Sequence, residues 1–315
     1  MRTVLITGGA GFIGSNLADY MLLNGWQVIA VDNFDPFYSE EIKRNNIKNA
    51  LTYSGYRFIE MDIHKTEELV SQLHQPIDVV IHLAAKAGVR HSITNPVGYE
   101  ETNYLGTIKI CDLAKQLNIP KIIFASSSSV YGTNPMLPWN EDTTAVSPVS
   151  PYATTKVMSE EYGRKFSEET GIQFTVLRFF SVYGPRMRPD LMMFKIARNI
   201  LENKEITVFG DGSSKRDYTY IDDIVSGIIQ AIVYNGKRFD IFNLGSRNPI
   251  SLEQIISIFE QITKLKANTK YAPFFTGESN STEADIRKAQ FSLGYHPKTE
   301  IQEGIRLFLQ SVGTI

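Results

Sequence analysis

The sequence has a single cysteine, Cys111, and only five histidines among 315 residues. One cysteine excludes an internal disulfide and any cysteine-rich metal site. It lies in the amphipathic pattern IKICDLAKQL, which favours a buried structural thiol. The histidines, at positions 64, 74, 82, 91 and 296, show no ligand spacing such as HxxxH. The sequence therefore predicts no metal site.

No charge of one sign dominates, and no long hydrophobic run opens the chain. Lysine and arginine number 32 against 34 aspartate and glutamate, a formal net charge of -2. No global field therefore favours nucleic acid or an anionic membrane as a partner. The apolar run in MRTVLITGG is about four residues long, too short for a signal peptide or a membrane span. We expect a cytoplasmic enzyme.

Short apolar runs alternate with helical patterns through the first 180 residues. The runs are rich in β-branched residues and read as continuous, which favours parallel strands buried on both faces. We interpret the fold as α/β, a doubly wound parallel sheet of Rossmann type with a smaller C-terminal α/β substrate domain. The cofactor domain is expected at 1–180 with a return segment at about 222–248, and the substrate domain at 181–221 and 249–315. The strand candidates are TVLIT (3–7), QVIAVD (27–32), RFIEMD (57–62), DVVIHLA (78–84), KIIFAS (121–126) and QFTVLRF (173–179).

A glycine-rich loop follows the first strand candidate. TGGAGFIG places Gly8, Gly11 and Gly14 between a strand and a helix, with the spacing GxxGxxG rather than GxGxxG. Glycines there permit a tight turn and the close approach of a pyrophosphate to the helix N-terminus. The loop predicts a dinucleotide site.

Two acids end the next two strand candidates. Asp32 follows Gly14 by 18 residues. An acid there suits a ribose 2′-hydroxyl and repels a 2′-phosphate, which favours NAD over NADP. The basic residues Lys43 and Arg44 are a small reason to doubt this preference for NAD. Asp62 could accept a hydrogen bond from the adenine amine or be a solvated acid at a strand end.

SPYATTK places Tyr152 and Lys156 four residues apart at the start of a helix, on one helical face. An ammonium near a phenol favours the phenolate and is expected to lower its pKa from about 10. Such a phenol can take a proton from a sugar hydroxyl. The pair follows a complete set of predicted dinucleotide-binding elements in the chain. This order favours a catalytic role for the two residues over an ordinary pair on the protein surface.

Over nearly its whole length the chain resembles the extended short-chain dehydrogenases/reductases that act as nucleotide-sugar epimerases and dehydratases. Within that group it is most similar to UDP-glucuronate 4-epimerases. The motifs that carry the resemblance are TGGAGFIG, DNF, HLAA (82–85), NYLGT from Asn103, ASSSSVYG (125–132), SPYATTK, LRFFSVYGPRMRPD, RDYTYIDD (216–223) and ADIRKA with LGYHP. The pointers to the subgroup are AGVR (87–90), ASSSSVYG, VYGPRMRPD and RDYTYIDDIV.

The resemblance implies NAD as the cofactor and assigns residues to it. The catalytic residues would be Tyr152, Lys156 and Ser127, the last as the hydroxyl partner of the phenol. The cofactor set is Gly8, Gly11, Phe12, Ile13, Gly14, Asp32, Asn33, Asp62, Ile63, Leu83, Ala84, Ala85, Asn103, Tyr152 and Lys156.

The resemblance also implies a UDP-sugar substrate. Related dehydratases and decarboxylases carry acids where this chain has Ser128 and Ser129, so the small hydroxyls leave room for a C5 carboxylate. Arg216 would bind the diphosphate. Arg188 would reach the sugar or a phosphate, and Arg186 is the alternative candidate for that role. The substrate set is Arg90, Ser127, Ser128, Ser129, Ser181, Arg188, Val208 and Arg216.

One segment departs from the family pattern. Many relatives have a second diphosphate-binding arginine before a Gly-Asp pair, whereas this chain reads APFFTGES, with Gly277 and Glu278. Either binding depends more on Arg216, or another residue such as Arg287 substitutes.

The leading hypothesis is NAD-dependent C4 epimerisation of UDP-glucuronate to UDP-galacturonate. A 4-epimerase of neutral UDP-sugars, glucose or N-acetylglucosamine, is the close alternative. The missing acids argue against a dehydratase or decarboxylase, and the retained Tyr152, Lys156 and Ser127 argue against an NAD-sensing regulator. Helices near 95–117 and 152–170 would pair in a homodimer, as they do in relatives.

Overall fold

The computed structural model describes residues 2–273 and 279–313, and these contain strands and helices in alternation. The α-helices are α1 Phe12–Leu23, α2 Glu40–Ile47, α3 Thr66–Val70, α4 Val89–Thr94, α5 Pro96–Tyr99, α6 Gly106–Gln116, α7 Pro151–Thr170, α8 Met192–Leu201, α9 Ile221–Val233, α10 Leu252–Thr263, α11 Arg287–Leu293 and α12 Ile301–Ser311. The strands are β1 Thr3–Thr7, β2 Gln27–Asp32, β3 Tyr56–Glu60, β4 Val79–His82, β5 Lys121–Ser127, β6 Gln173–Phe179, β7 Ser181–Tyr183, β8 Glu205–Phe209, β9 Lys215–Tyr220, β10 Phe239–Leu244, β11 Pro249–Ser251 and β12 Asn268–Ala272.

Seven parallel strands form the central sheet, in the order β10-β6-β5-β4-β1-β2-β3. The strand order reverses between β1 and β4, because β1 pairs with β2 on one side and β4 on the other. Ligands of open α/β sheets bind outside the carboxyl ends of the strands at such a switch point. This sheet confirms the predicted doubly wound fold.

Helices cover both faces of the sheet because successive side chains of each strand alternate between the faces. Val4 and Ile6 of β1 belong to one hydrophobic cluster, and Leu5 between them belongs to the other. Cys111 is fully buried in the second cluster, which confirms the expectation of a structural thiol.

The chain beyond β6 builds two small sheets and adds one strand to the large sheet. Strand β10 lies beside β6, while β11, β9 and β7 form a three-stranded sheet and β12 pairs with β8. Helix α9 packs on α1, so the segment of α9 and β10 returns to the first half of the chain. Among residues 2–273 and 279–313, no helix is long and apolar enough to cross a membrane.

Candidate active site

The glycine turn after β1 brings the chain close to its neighbours. Gly8 has a φ of +71°, which side chains other than glycine rarely adopt. A Cβ on Gly8 would lie 2.8 Å from the backbone nitrogen of Ala84, which follows β4. A Cβ on Gly14 would overlap the carbonyl oxygen of Gly8. These glycines therefore let α1 begin directly against the sheet.

The N-terminus of α1 opens into a cleft at the carboxyl ends of the strands. Gly11 caps the helix without a side chain, and the first turn holds no acidic residue. A Cβ on Gly11 would meet only the carbonyl oxygen of Gly8, at 3.1 Å, so its other sides face open space. Backbone amides at a positive helix end suit an anionic pyrophosphate.

Asp32 ends β2 at the edge of the same cleft. Its carboxylate accepts hydrogen bonds from the amides of Ala10 (3.1 Å) and Phe34 (2.9 Å). Burial raises its pKa, whereas the ammonium of Lys43 and these two hydrogen bonds oppose the rise. Asn33 donates to Asp62 at 2.8 Å, so the ends of β2 and β3 are joined.

The predicted cofactor residues converge on one cleft of about 1210 Å³, a volume that includes the part open to solvent. Every member of the set lines it except Asn103. The amide of Asn103 instead clamps the loop after β4, because its Oδ1 accepts from the nitrogen of Lys86 (2.7 Å) and its Nδ2 donates to the oxygen of Lys86 (2.9 Å). The glycine cradle, the open helix end and Asp32 fit a dinucleotide.

The sequence reasoning missed a second wall of this cleft. Asp35, Phe37 and Tyr38 follow β2 and also line the cleft. Lys86 pairs with Asp35 at 2.6 Å, and the Nζ of Lys43 donates to the oxygen of Asp35 at 2.7 Å. Lys43 is thus engaged with this loop. The loop has no helix or strand periodicity, so no pattern marked it.

Tyr152 lies where the cofactor cleft meets a second cleft of about 1850 Å³. Proline at the start of α7 and the hydroxyl of Ser150, which accepts from the amide of Ala153, set the beginning of the helix that carries it. The ring of Tyr99 packs edge-on against the ring of Tyr152, with centroids 6.2 Å apart. Ser127, at the end of β5, acts on the phenol and opposes the rise of its pKa.

The expected lowering of the pKa of Tyr152 by Lys156 is wrong for this structure. Burial raises the pKa of Tyr152, and the opposing effects come from Ser127 and the charge of Arg188. Lys156 donates to the oxygen of Ala125 at 2.8 Å, and its Nζ lies 5.9 Å from the centre of the Tyr152 ring. Burial lowers the pKa of Lys156 to about 8, and Glu160 acts against that lowering. The cation that acts on the phenol is thus Arg188.

The second cleft gathers five of the predicted substrate residues. Ser128, Ser129 and Val208 do not line either cleft. Val208 is buried in the core, and Ser129 lies behind Ser127, to whose Oγ its amide donates at 3.2 Å. The Oγ of Ser129 is buried with no hydrogen-bond partner among the described residues. The five lining residues are Arg90, Ser127, Ser181, Arg188 and Arg216.

The two arginines of RMRPD point in different directions. Arg188 lines both clefts and forms a two-point ion pair with Asp190, at 2.9 and 2.7 Å. Arg186 instead binds Asp19 of α1 at 2.5 Å.

Of the two arginines expected to bind the diphosphate, one lines the second cleft and the other does not. Arg216 lines the second cleft, whereas Arg287 pairs with Asp285 and lines neither cleft. Arg90 lies over the ring of Phe209, 5.0 Å from its centre. The segment of Gly277 and Glu278 lies outside the described residues.

The fold and the cleft define a dinucleotide-dependent enzyme class, and a family model confirms it. Residues 4–245 match the NAD dependent epimerase/dehydratase family, and the chain belongs to this family. The UDP-glucuronate 4-epimerase of Thermodesulfobacterium geofontis is 39% identical over 309 residues, which cover 97% of this chain and 94% of the relative.

Solved structures show the same similarity. The Bacillus cereus UDP-glucuronic acid 4-epimerase, in complex with UDP-glucuronic acid and NAD, matches with a TM-score of 0.92 and 34% identity over 99% of both chains. The Thermotoga maritima UDP-glucose 4-epimerase with UDP-glucose matches with a TM-score of 0.90 and 30% identity, also over 99% of both chains.

Proposed function

We propose that this chain catalyses NAD-dependent epimerisation of UDP-glucuronate at C4, giving UDP-galacturonate. The observation that carries the proposal is the position of Tyr152 and Ser127 at the junction of the two clefts. A sugar hydroxyl held there meets a base and a bound nicotinamide together. The Thermodesulfobacterium geofontis relative is named for this substrate, and the Bacillus cereus enzyme is complexed with it.

Tyr152 takes the proton from the O4 hydroxyl and later returns it. Ser127 bridges the phenol and O4, and Lys156 holds the nicotinamide ribose. Bound NAD⁺ supplies the acceptor for the C4 hydride and, after the 4-keto sugar has turned over, the donor that returns it to the opposite face. A base matched to this task has a pKa near the working pH, so the effects of Ser127 and Arg188 oppose the effect of burial.

The choice of a uronate depends on the side of the cleft that faces C5. Ser128 and Ser129 replace the acids that would assist loss of water or carbon dioxide. The hydroxyl of Ser181, which lines the cleft, can donate to a carboxylate. The 4-keto form of a uronate is a β-keto acid, so this donor must help to hold the carboxylate in an orientation that opposes its loss.

Arg216 and Arg90 are the proposed ligands of the diphosphate. A guanidinium presents a planar fork of donors that matches phosphate oxygens. Phe209 lines the cleft beside Arg90, so the strand with Val208 frames the uracil. Asn103 is proposed to act through the loop of Lys86.

Three further expectations are proposals about the whole chain. Residues 1–180 with about 222–248 form the cofactor domain, and 181–221 with 249–315 form the substrate domain. The position of β10 in the large sheet supports this division. The enzyme is proposed to work in the cytoplasm as a homodimer.

The test is a proton NMR time course of the purified protein with UDP-glucuronate and, separately, with UDP-glucose. Galacturonate anomeric signals in the first sample alone, with no net consumption of NAD⁺, support the proposal. Turnover of UDP-glucose instead favours the neutral-sugar alternative, which the Thermotoga maritima similarity also supports. A UDP-pentose with carbon dioxide, or no turnover, contradicts the proposal.

Tyr152→Phe tests the assigned base. We expect loss of about 10² to 10⁴-fold in kcat, the usual contribution of a positioned general acid–base. Tyr271→Phe is the matched control, because its side chain is exposed on β12. A fully active Tyr152→Phe variant would refute the role.

A further inference from the structure

Helix α7 carries a buried carboxylate one turn beyond Lys156. Glu160 is only 4% exposed. Its Oε1 accepts from the hydroxyl of Ser126 and from the Nε of Arg178 at 3.0 Å, and its Oε2 accepts from the same guanidinium at 2.6 Å. The guanidinium of Arg178 lies over the ring of Tyr131, 4.8 Å from its centre. Water cannot screen such a cluster, so each charge acts strongly on its neighbours.

The cluster touches the catalytic groups at two points. Tyr152, Lys156 and Glu160 are spaced by four residues and therefore lie on one face of α7. Ser126, which donates to Glu160, directly precedes Ser127 in β5. Ala125, one residue earlier, accepts the hydrogen bond of Lys156. Glu160 thus binds the strand end on which both Lys156 and Ser127 depend.

The buried charges do not cancel. Lys156 and Arg178 contribute two positive charges, and Glu160 contributes one negative charge. The other side chains that face Lys156 change this little. His82 of β4 is neutral, because burial and Lys156 lower its pKa to about 3, and Phe124 of β5 presents a ring. Arg188 approaches Tyr152 from the loop after β7 and is paired with Asp190.

We propose that Glu160 is a positioning residue that keeps Lys156 protonated and holds the end of β5 in place for Ser127. The inference rests on the proposed roles of Tyr152 and Lys156. Loss of the Glu160 charge would leave two unbalanced cations. Because an arginine stays protonated in proteins, Lys156 would be the group that releases its proton.

Substitutions can raise or lower the net charge of the cluster formed by Lys156, Glu160 and Arg178. Glu160→Gln keeps the shape but raises the net charge of the cluster by one. Arg178→Met lowers it by one, and the double variant restores the wild-type value.

We expect the pH profile of kcat/KM to move to lower pH in Glu160→Gln, by about 1 to 3 units, the effect of one nearby charge. It should move to higher pH in Arg178→Met and return toward wild type in the double variant. Both limbs move together, because a lost negative charge makes both the lysine and the phenol more acidic.

Glu161→Gln is the matched control, since Glu161 is exposed on the same helix and pairs with Arg164. A second readout is the absorbance of ionised tyrosine during a pH titration of the NAD-bound protein, taken as wild type minus Tyr152→Phe. This titration needs no substrate, so it separates failure of this inference from failure of the proposed reaction.

A purely structural role for Glu160 would lower activity or thermal stability without moving either limb or the tyrosine titration. That result would overturn the inference. So would a double variant whose profile is as far from wild type as that of Glu160→Gln. If Glu160→Gln fails to fold, the upward shift of Arg178→Met and the position of the double variant decide the matter.

Discussion

At the scale of single residues, two arginines two positions apart have different surroundings. Arg188 lines the same clefts as Tyr152 and lowers the pKa of its phenol, whereas Arg186 pairs with Asp19 on α1. Arg186 has a φ of +66°, and this local conformation separates the two side chains. The guanidinium of Arg188 therefore acts on the proposed base, and that of Arg186 binds its loop to α1.

Arg188→Gln and Arg186→Gln form a matched pair. Arg188 lowers the pKa of Tyr152, so its loss should raise that pKa and move the acid limb of kcat/KM to higher pH. A shift of about one unit would cost about tenfold in kcat/KM at neutral pH. Arg186→Gln should leave the limb in place and lower the thermal midpoint. Equal shifts in both variants would contradict the distinction.

A second single-residue effect concerns Glu141, which lines neither cleft. Its Oε1 accepts from the amide of Asn243 at 2.7 Å, and its Oε2 is buried with no partner among the described residues. Burial raises the pKa of Glu141 from 4.5 to about 7. The stability contributed by the protonated form is therefore fully present below about pH 4.5 and lost as the pH rises through about 7.

We expect the free energy of unfolding of the wild type to decrease from pH 5 to pH 8. The decrease should be larger than that of the Glu141→Gln variant over the same range. The expected difference is of the order of 3 kcal/mol, the equivalent of the pKa shift. Urea unfolding at both pH values measures it. Asp142→Asn, at an exposed neighbouring position, is the control and should follow the wild type. Parallel curves for wild type and Glu141→Gln would show that Glu141 ionises freely in the folded protein.

At the scale of elements, the junction of β1 and α1 places the cofactor cleft. Gly14 permits close packing of the helix on the turn, whereas a Cβ on Gly11 would meet only the carbonyl oxygen of Gly8, at 3.1 Å. The two glycines therefore serve different purposes, although the sequence pattern treats them alike.

Gly14→Ala and Gly11→Ala separate packing from binding. The new Cβ at Gly14 overlaps the backbone of Gly8, so we expect a lower thermal midpoint and loss of bound NAD. Gly11 has a φ of -74°, which alanine adopts freely, and its Cβ would meet only the oxygen of Gly8 at 3.1 Å, so Gly11→Ala should lower the thermal midpoint less than Gly14→Ala and still lose NAD. Thermal unfolding and the NAD content of the purified protein test this. Full NAD occupancy in Gly11→Ala would show that the pyrophosphate binds elsewhere.

At the scale of the whole molecule, one face of the chain carries several exposed apolar residues. Val97 of α5 and Leu105 at the end of the π-helical turn Glu100–Leu105 are 64% and 43% exposed. Pro96, Val149 and Met158 line a shallow groove between α5 and α7 nearby. Apolar patches of this kind mark interaction surfaces. This face coincides with the helices proposed for the homodimer.

Leu105→Glu should prevent the proposed dimer from forming, because an unpaired carboxylate would be buried at the interface. Light scattering should give about 71 kDa for the wild type, twice the chain mass of 35.5 kDa. Phe291→Ser is the control, since Phe291 is 94% exposed on α11, outside the proposed interface. A wild type that is already monomeric would refute the proposal.

The sequence by itself determined the parts of this protein that depend on local spacing. Strand periodicity placed β1, β2 and β6 at the predicted bounds, since buried parallel strands read as continuous apolar runs. The glycine loop and the Tyr152–Lys156 pair were likewise visible, because neighbouring positions on one turn or one helix face are set by the chain itself.

The tertiary structure decided which distant side chains meet. The charge of Arg188 acts on the phenol, Arg178 of β6 pairs with Glu160 of α7, and Lys86 pairs with Asp35 only through packing of separate elements. A carboxylate eight residues after Tyr152, on the face that α7 buries, was a signal that could have identified Glu160. The pKa of Tyr152 was misjudged because burial and long-range charges, which spacing cannot report, outweigh the neighbouring lysine.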